Sequence, residues 1–349
     1  MPPATDPALD ALFLPFHDRQ LAWPSGKVLF LRARAGSALQ SFAASNLVCE
    51  QSFKPHADAL RAAGFDVIPD EAPGRFALVL VLLPRQREEA RALLARAVTQ
   101  AAAGGCVVAS LANTEGARSG ETDLAQLAGP VSSLSKHKCR VFWTAPRHEQ
   151  IDDALRTDWM ALDAPRPIAD GRYASRPGLF AWNRIDPASA LLAAQLPPSL
   201  RGVAADLGAG FGYLSGELLQ RCAGITHLHC FEAEARALAL ARQNLQHLAP
   251  GAPLEFHWHD VTQGLPARYD VIVTNPPFHA QGSTERPDIG RRFIAAAAGA
   301  LRPEGQLWLV ANRHLPYETV LTQAFGAVRT VVQRDGFKVI VGVKRAGTR

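Results

Sequence analysis

The sequence predicts an α/β chain in which one parallel-sheet fold is laid down twice. Three observations predict it. Residues 76–83 are a continuous apolar run stopped by Pro84, as expected of a strand buried on both faces. The order strand, helix, strand that follows recurs far downstream, with residues 270–274 in the place of that first run. Between them, residues 203–215 carry a short strand into glycines 208, 210 and 212 and then into a helix. Two Rossmann-like domains in tandem follow, and only the second keeps a ligand-binding turn.

Composition supports this reading. At 349 residues with 48% hydrophobic content, the chain suits two globular domains. Lys and Arg number 37 against 32 acids, a mild basic excess compatible with a polyanionic partner. Five cysteines without a Cys-x-x-Cys pair point to reduced thiols and a cytoplasmic protein rather than a disulfide scaffold. Asp6 and Asp10 stand where a secretory signal would be basic and apolar, and no apolar run is long enough to span a bilayer. A monomer without membrane contact is expected.

In the first half, residues 27–32 read as a strand and 39–44 and 57–63 as helical pieces. Residues 87–103 are mostly Ala, Leu, Arg, Glu and Gln, which predicts a helix closed by Gly104-Gly105. Residues 106–111 resume as a strand. In the second half a helix over 291–301, Gly305 and a strand over 306–311 repeat this order. The first copy has Leu83-Pro84-Arg85 where the second has Asn275-Pro276-Pro277-Phe278, and it lacks a Gly-x-Gly turn. It is therefore expected to have lost its ligand. Arg85, Arg87, Lys136, Lys138 and Arg140 are candidates to hold a phosphate backbone, against the plainer reading of a solvated charged surface. The boundary is expected near residue 160, giving domains 1–160 and 161–349. Beyond it, Phe180, Trp182 and Asp186 either cover a ligand or pack the linker onto the sheet, ahead of a helix over 188–196.

The glycine turn discriminates between two cofactor classes. A dinucleotide fingerprint wants glycine at 213, where Tyr213 stands. Asp206, two residues before Gly208, would repel a pyrophosphate but suits a cationic, phosphate-free ligand such as S-adenosylmethionine. The next strand, over 226–231, ends at Glu232, where an acid can accept both ribose hydroxyls. A third, over 254–258, ends at His259-Asp260, and Asp260 is suited to accept an adenine amino group. His257, His259 and Asp260 form an alternative metal set, but no further His or Cys at ligand spacing completes it, so no metal is expected. The apolar run over 269–274 stops at Asn275. There an amide oxygen, the carbonyls of Pro276 and Pro277 without competing donors, and the flat face of Phe278 make a receptor for the exocyclic amine of a planar base. The plain alternative is an ordinary Pro-Pro turn.

Taken together, the Asp-x-Gly-x-Gly-x-Gly turn, the acid after the second strand and Asn-Pro-Pro-Phe after the fourth resemble the class I S-adenosylmethionine-dependent methyltransferases that modify nitrogen. More narrowly, the paired layout, residues 275–279, 310–317 and 336–339 resemble the bacterial ribosomal RNA small subunit methyltransferase C family. The likeness is dense from 176 to 343 and mostly topological before that. It implies two tandem class I methyltransferase domains, the N-terminal one degenerate, and guanine-N2 methylation of 16S ribosomal RNA in the small subunit. It further implies catalytic roles for Asn275, Pro276, Pro277 and Phe278. Asp206, Gly208, Gly210, Glu232, Asp260 and Asn275 would bind the cofactor. Arg286, Arg291, Arg292 and Arg313, near the catalytic loop, are candidate phosphate contacts. Departures are Glu232, where Asp is common, and Ala188, in a segment that often carries glycine. The rivals are a 23S guanine-N2 methyltransferase, protein glutamine or DNA adenine methyltransferases, which usually have Tyr after Asn-Pro-Pro, and a non-catalytic RNA-binding assembly factor.

Overall fold

A computed structural model describes residues 6–42, 46–146, 151–248, 253–277 and 287–346. Two compact units emerge, Met1–Pro165 with Arg176–Gly178, and Arg166–Ser175 with Leu179–Arg349. The short return to the first unit has a local cause, because Arg176 Nε donates to Asp163 Oδ1 at 2.9 Å.

In the first unit, β1 (Val28–Leu31), β2 (Leu47–Glu50), β3 (Asp66–Ile68), β4 (Phe76–Leu82), β5 (Ala101–Ala112), β6 (Val131–Lys136) and β7 (Cys139–Thr144) form one sheet in the order β3-β2-β1-β4-β5-β7-β6. β7 alone runs opposite in direction to the other six strands. The apolar run of β4 is buried on both faces, as its composition requires. Helix Arg87–Gln100 lays Ala90, Leu94, Ala97 and Val98 into the core that holds Val79 and Val81.

The second unit begins with a small hairpin, β8 (Arg166–Ile168) and β9 (Tyr173–Ser175). Its main sheet comprises β10 (Arg201–Leu207), β11 (Gly224–Glu232), β12 (Leu254–Trp258), β13 (Tyr269–Thr274), β14 (Leu301–Asn312), β15 (Ala327–Arg334) and β16 (Phe337–Val343). The order, β12-β11-β10-β13-β14-β16-β15, repeats that of the first unit, with β16 antiparallel. Alternation along β13 feeds two layers. Val271 and Val273 join Leu192, Leu218 and Cys230 on one face, while Ile272 joins Ile294, Leu309 and Ile340 on the other. The chain reverses direction across the sheet between β10 and β13, and open α/β sheets bind ligands at the carboxyl ends of the strands at such a point.

One expectation is corrected twice over. Gly104-Gly105 does not close the helix, which stops at Gln100, and the strand begins at Ala101. The glycines serve a slip in register. Pairing advances from Phe76 to Leu78 on β4 while passing from Ala101 to Cys106 on β5. In the second unit it advances from Tyr269 to Val271 while passing from Leu301 to Gln306, and helix Pro287–Ala300 stops just before. A Cβ on Gly105 would meet the Ala102 and Phe76 carbonyl oxygens at 2.9 Å, and one on Gly305 would meet the Arg302 oxygen at 2.9 Å. The two units also share their closing turn. His137 and Lys138 take φ of 55° and 58° between β6 and β7, and Asp335 and Gly336 take 54° and 81° between β15 and β16, the conformation of a two-residue type I′ hairpin. No helix among the described residues is long and apolar enough to cross a membrane.

Candidate active site

The turn after β10 is tied to the end of β11. Gly208 and Ala209 donate their backbone N–H groups to the Phe231 carbonyl at 2.8 and 3.0 Å. Gly210 N–H donates to Glu232 Oε2 at 2.8 Å. Gly208, Gly210 and Gly212 have φ of 75°, 55° and 93°, a region in which only glycine is unstrained. The second and third glycines do different work. A Cβ on Gly210 would meet nothing within 4 Å, whereas one on Gly212 would stand 3.2 Å from Ala241 Cα. Gly210 therefore leaves space beside a cleft, and Gly212 lets two helices approach.

Asp206, on β10, is fully buried. Its Oδ2 accepts from the Ser215 hydroxyl at 2.7 Å, while Oδ1 has no hydrogen-bond partner among the described residues. Burial pushes its carboxyl up to about 7 despite that hydrogen bond. An orphaned buried carboxylate oxygen is a place for a cationic donor. Glu232 also titrates higher than an ordinary carboxylate because it is desolvated, with the Glu234 and Gly210 N–H groups opposing the rise. Oε1 accepts from Glu234 N–H at 2.9 Å, so each oxygen keeps a lone pair for a hydroxyl. Asp260 caps the short helix Val261–Gln263, with Oδ1 accepting from Thr262 N–H at 2.9 Å and its hydroxyl at 2.7 Å. Among the described residues only Gln263, at 3.3 Å, reaches Oδ2.

Asn275 stands just past β13, and its amide is oriented by its neighbours. Nδ2 donates to Asp186 Oδ2 and to Ser189 Oγ, both at 2.9 Å. A carboxylate accepts only, so the group facing it must be the NH2, and Oδ1 is turned toward other donors. Asp186 is itself held, because it caps helix Pro187–Gln195 by accepting from Ser189 N–H at 2.8 Å. A single cleft is lined by Gly208, Gly210, Asp186, Ser189, Asn275 and Phe180. Pro276 is buried and Pro277 exposed, while Phe278 lies outside the described residues. A larger cavity, about 620 Å³, opens beside β12. Donor chemistry, not size, makes the smaller cleft the candidate active site.

The structure separates residues that the sequence grouped. Phe180 is 65% exposed on the cleft wall, whereas Trp182 packs with Leu179 and Phe211 and under the Arg166 guanidinium. Asp186 lines the cleft, caps a helix and holds Asn275. Sequence reasoning missed Ser189 and Ser215. The spacing of Asp186 and Ser189 is a helix-cap signature that could have found the first. His257, His259 and Asp260 do not form a metal set, since His259 Nε2 lies 2.7 Å from the Gly264 carbonyl and Asp260 is a cap. Arg291, Arg292 and Arg313 are exposed, and Arg286 lies outside the described residues. In the first unit Arg87 is paired with Asp123 and Arg140 with Glu121. Arg85, Lys136 and Lys138 are exposed without an ion pair among the described residues.

Known proteins resemble this chain in sequence and fold. Residues 170–341 match the model of the methyltransferase small domain. A ribosomal RNA small subunit methyltransferase C of Pseudomonas paraeruginosa is 33% identical over 272 residues, covering 76% of this chain and 79% of that one. The chain belongs to the ribosomal RNA small subunit methyltransferase C family. Another member, from Shewanella amazonensis, is 29% identical over 272 residues, covering 78% of each. Among solved structures, the T. thermophilus 16S rRNA N2 methyltransferase of this family, in complex with AdoMet and guanosine, superposes with a TM-score of 0.80. It is 26% identical, and the match covers 98% of this chain and 93% of that one. Family membership extends over both units, so the tandem methyltransferase fold is that of ribosomal RNA small subunit methyltransferase C as a whole.

Proposed function

We propose that this chain transfers a methyl group from S-adenosylmethionine to the exocyclic N2 of a guanine in 16S ribosomal RNA, and that the reaction runs at Asn275. The observation that carries the reading is the orientation of the Asn275 amide by Asp186 and Ser189. S-adenosylmethionine, when bound, supplies an already activated sulfonium methyl, so the protein needs no nucleophile of its own. Asp206 Oδ1, unpartnered and buried, suits the ammonium of such a ligand. Glu232 suits the ribose hydroxyls and Asp260 Oδ2 the adenine amine, while Gly208 and Gly210 leave room for the backbone to approach.

The attacking amine gains positive charge as the new N–C bond forms. Asn275 Oδ1 and the Pro276 carbonyl, oriented beforehand, accept hydrogen bonds from that amine and stabilise the developing charge without reorganising. They also aim its lone pair, an orientation effect of several kcal/mol. Phe278 offers its ring to the base, a contact worth about 1–3 kcal/mol. A paired guanine reaches these groups only when it is flipped out of its stack. The first unit, without a glycine turn, serves RNA docking rather than cofactor binding.

The test is transfer of labelled methyl to purified 30S and 50S subunits, with Asn275→Ala alongside, followed by nucleoside analysis. N2-methylguanosine in 30S RNA, lost in the variant, is the expected result. Label confined to 50S would move the substrate to 23S RNA, and no label in either would end the proposal.

A further inference from the structure

Away from the methyl-transfer cleft, the outer edge of the second sheet gathers two imidazoles and a carboxylate. His229 on β11 stands in register with Glu255 on β12, and His257 follows Glu255 on the same face. His229 Nδ1 lies 3.1 Å from His257 Nε2. Glu255 Oε2 lies 3.5 Å from each of those nitrogens. Vertices of a tetrahedron about a metal at zinc–nitrogen distances of about 2.0–2.1 Å are about 3.3–3.4 Å apart. The observed triangle therefore has nearly the dimensions of three ligands around one ion.

We propose that His229, Glu255 and His257 bind a divalent transition-metal ion of the zinc class, with its fourth position open. Two nitrogens and one oxygen exclude magnesium and calcium, which prefer all-oxygen sets. The set sits on adjacent paired strands, so the backbone keeps its spacing. Aromatic rings hold the imidazoles: Phe231 stacks on His257 with centroids 4.5 Å apart, and Tyr269 meets His229 edge-on at 5.2 Å. Both histidines are partly buried, with side chains 12% and 28% exposed, so solvent competes little for their ring nitrogens. In the absence of a metal, one proton at most lies between the two facing nitrogens, and Glu255, half exposed, is too distant for a good hydrogen bond to either. His257 also lines the cavity of about 620 Å³ beside β12, through which water or a ligand reaches the fourth position.

The experiment titrates zinc chloride into the full-length protein by calorimetry and repeats the titration with His257→Ala and Glu255→Gln. Cobalt(II) loading of each reports the ligand field. The wild type is expected to take up one zinc more than His257→Ala and to give the intense visible absorption of four-coordinate cobalt. Glu255→Gln, at a half-exposed position that leaves folding intact, should weaken zinc binding by at least about tenfold. Equal stoichiometry and affinity in all three proteins, or only the weak spectrum of hydrated cobalt in the wild type, would overturn the proposal. Should His257→Ala not fold, the Glu255→Gln comparison decides alone.

Discussion

In the proposed reaction Asn275 acts as an acceptor, because Asp186 and Ser189 engage its other end. Asn275→Ala is expected to lower kcat by about 10²–10³-fold, the effect of removing one preorganised polar group from a transition state, as measured by single-turnover methyl transfer. Asp186→Ala should lower kcat by about tenfold to a hundredfold through misplacement of the amide. It should also cost about 0.5–2 kcal/mol of stability through the lost helix cap, read by urea unfolding. Asp206 sets a pH dependence. Its carboxyl, raised from 3.8 to about 7 by burial, holds its proton in the folded protein below about pH 7. Stability from this group is complete below the unfolded value and is lost as pH rises through about 7. An ammonium ligand needs the ionised form, so affinity for S-adenosylmethionine should fall below about pH 7, by up to about tenfold per unit. Calorimetry over that range should find the dependence flattened in Asp206→Asn. The residue types of the site were legible in the sequence, since glycine, acid and Asn-Pro-Pro each answer a chemical need. Which groups hold them was not, because Ser189 and Asn275 meet only when the helix after Asp186 packs over the sheet against β14 and β16.

At the scale of elements, apolar periodicity located the strands of the second main sheet but only β1, β4 and β5 of the first, because β2, β3, β6 and β7 are short or carry mixed polar residues. Helix ends were a further weak point. Gly104-Gly105 reads in one dimension as a helix stop. In the fold the pair answers a slip against β4, a constraint that exists only once the partner strand is in place. The His229, Glu255 and His257 cluster was hidden for the same reason, as its members come from two strands. The closing turn of the first unit supports a prediction. His137 and Lys138 both adopt left-handed backbone where the second unit has Asp335-Gly336, at a cost of about 1–2 kcal/mol for each non-glycine residue. Lys138→Gly should stabilise the protein toward urea by about 1 kcal/mol. If the lysine holds phosphate, the same change should weaken RNA binding. In the opposite sense, Gly212→Ala should destabilise by at least about 1–2 kcal/mol, because left-handed backbone and a crowded Cβ act together.

For the whole molecule, the repeated strand order separates what the fold needs from what the chemistry needs. Both units keep the register slip and the closing hairpin, and only the second has the glycine turn and Asn275. The net charge of +5 is small, so RNA affinity should rest on a few exposed cations rather than a general field. Replacing Arg85, Lys136 and Lys138 together by Glu is expected to lower affinity for 30S subunits and shrink the salt slope by about 0.7–0.9 per lost phosphate contact. Affinity for S-adenosylmethionine should be unchanged. The position of the last strand in each sheet has a further consequence, for synthesis. β16 lies between β14 and β15, and its Val339, Ile340 and Val341 are buried. Until those residues leave the ribosome, β14 has an open edge and the second sheet is incomplete, although every proposed cofactor ligand has already been translated. The first sheet has all its strands once Thr144 has been added. The emerging protein can therefore finish the half assigned to RNA docking before the half assigned to methyl transfer, and shortening the chain by little more than its last strand should abolish the second while sparing the first.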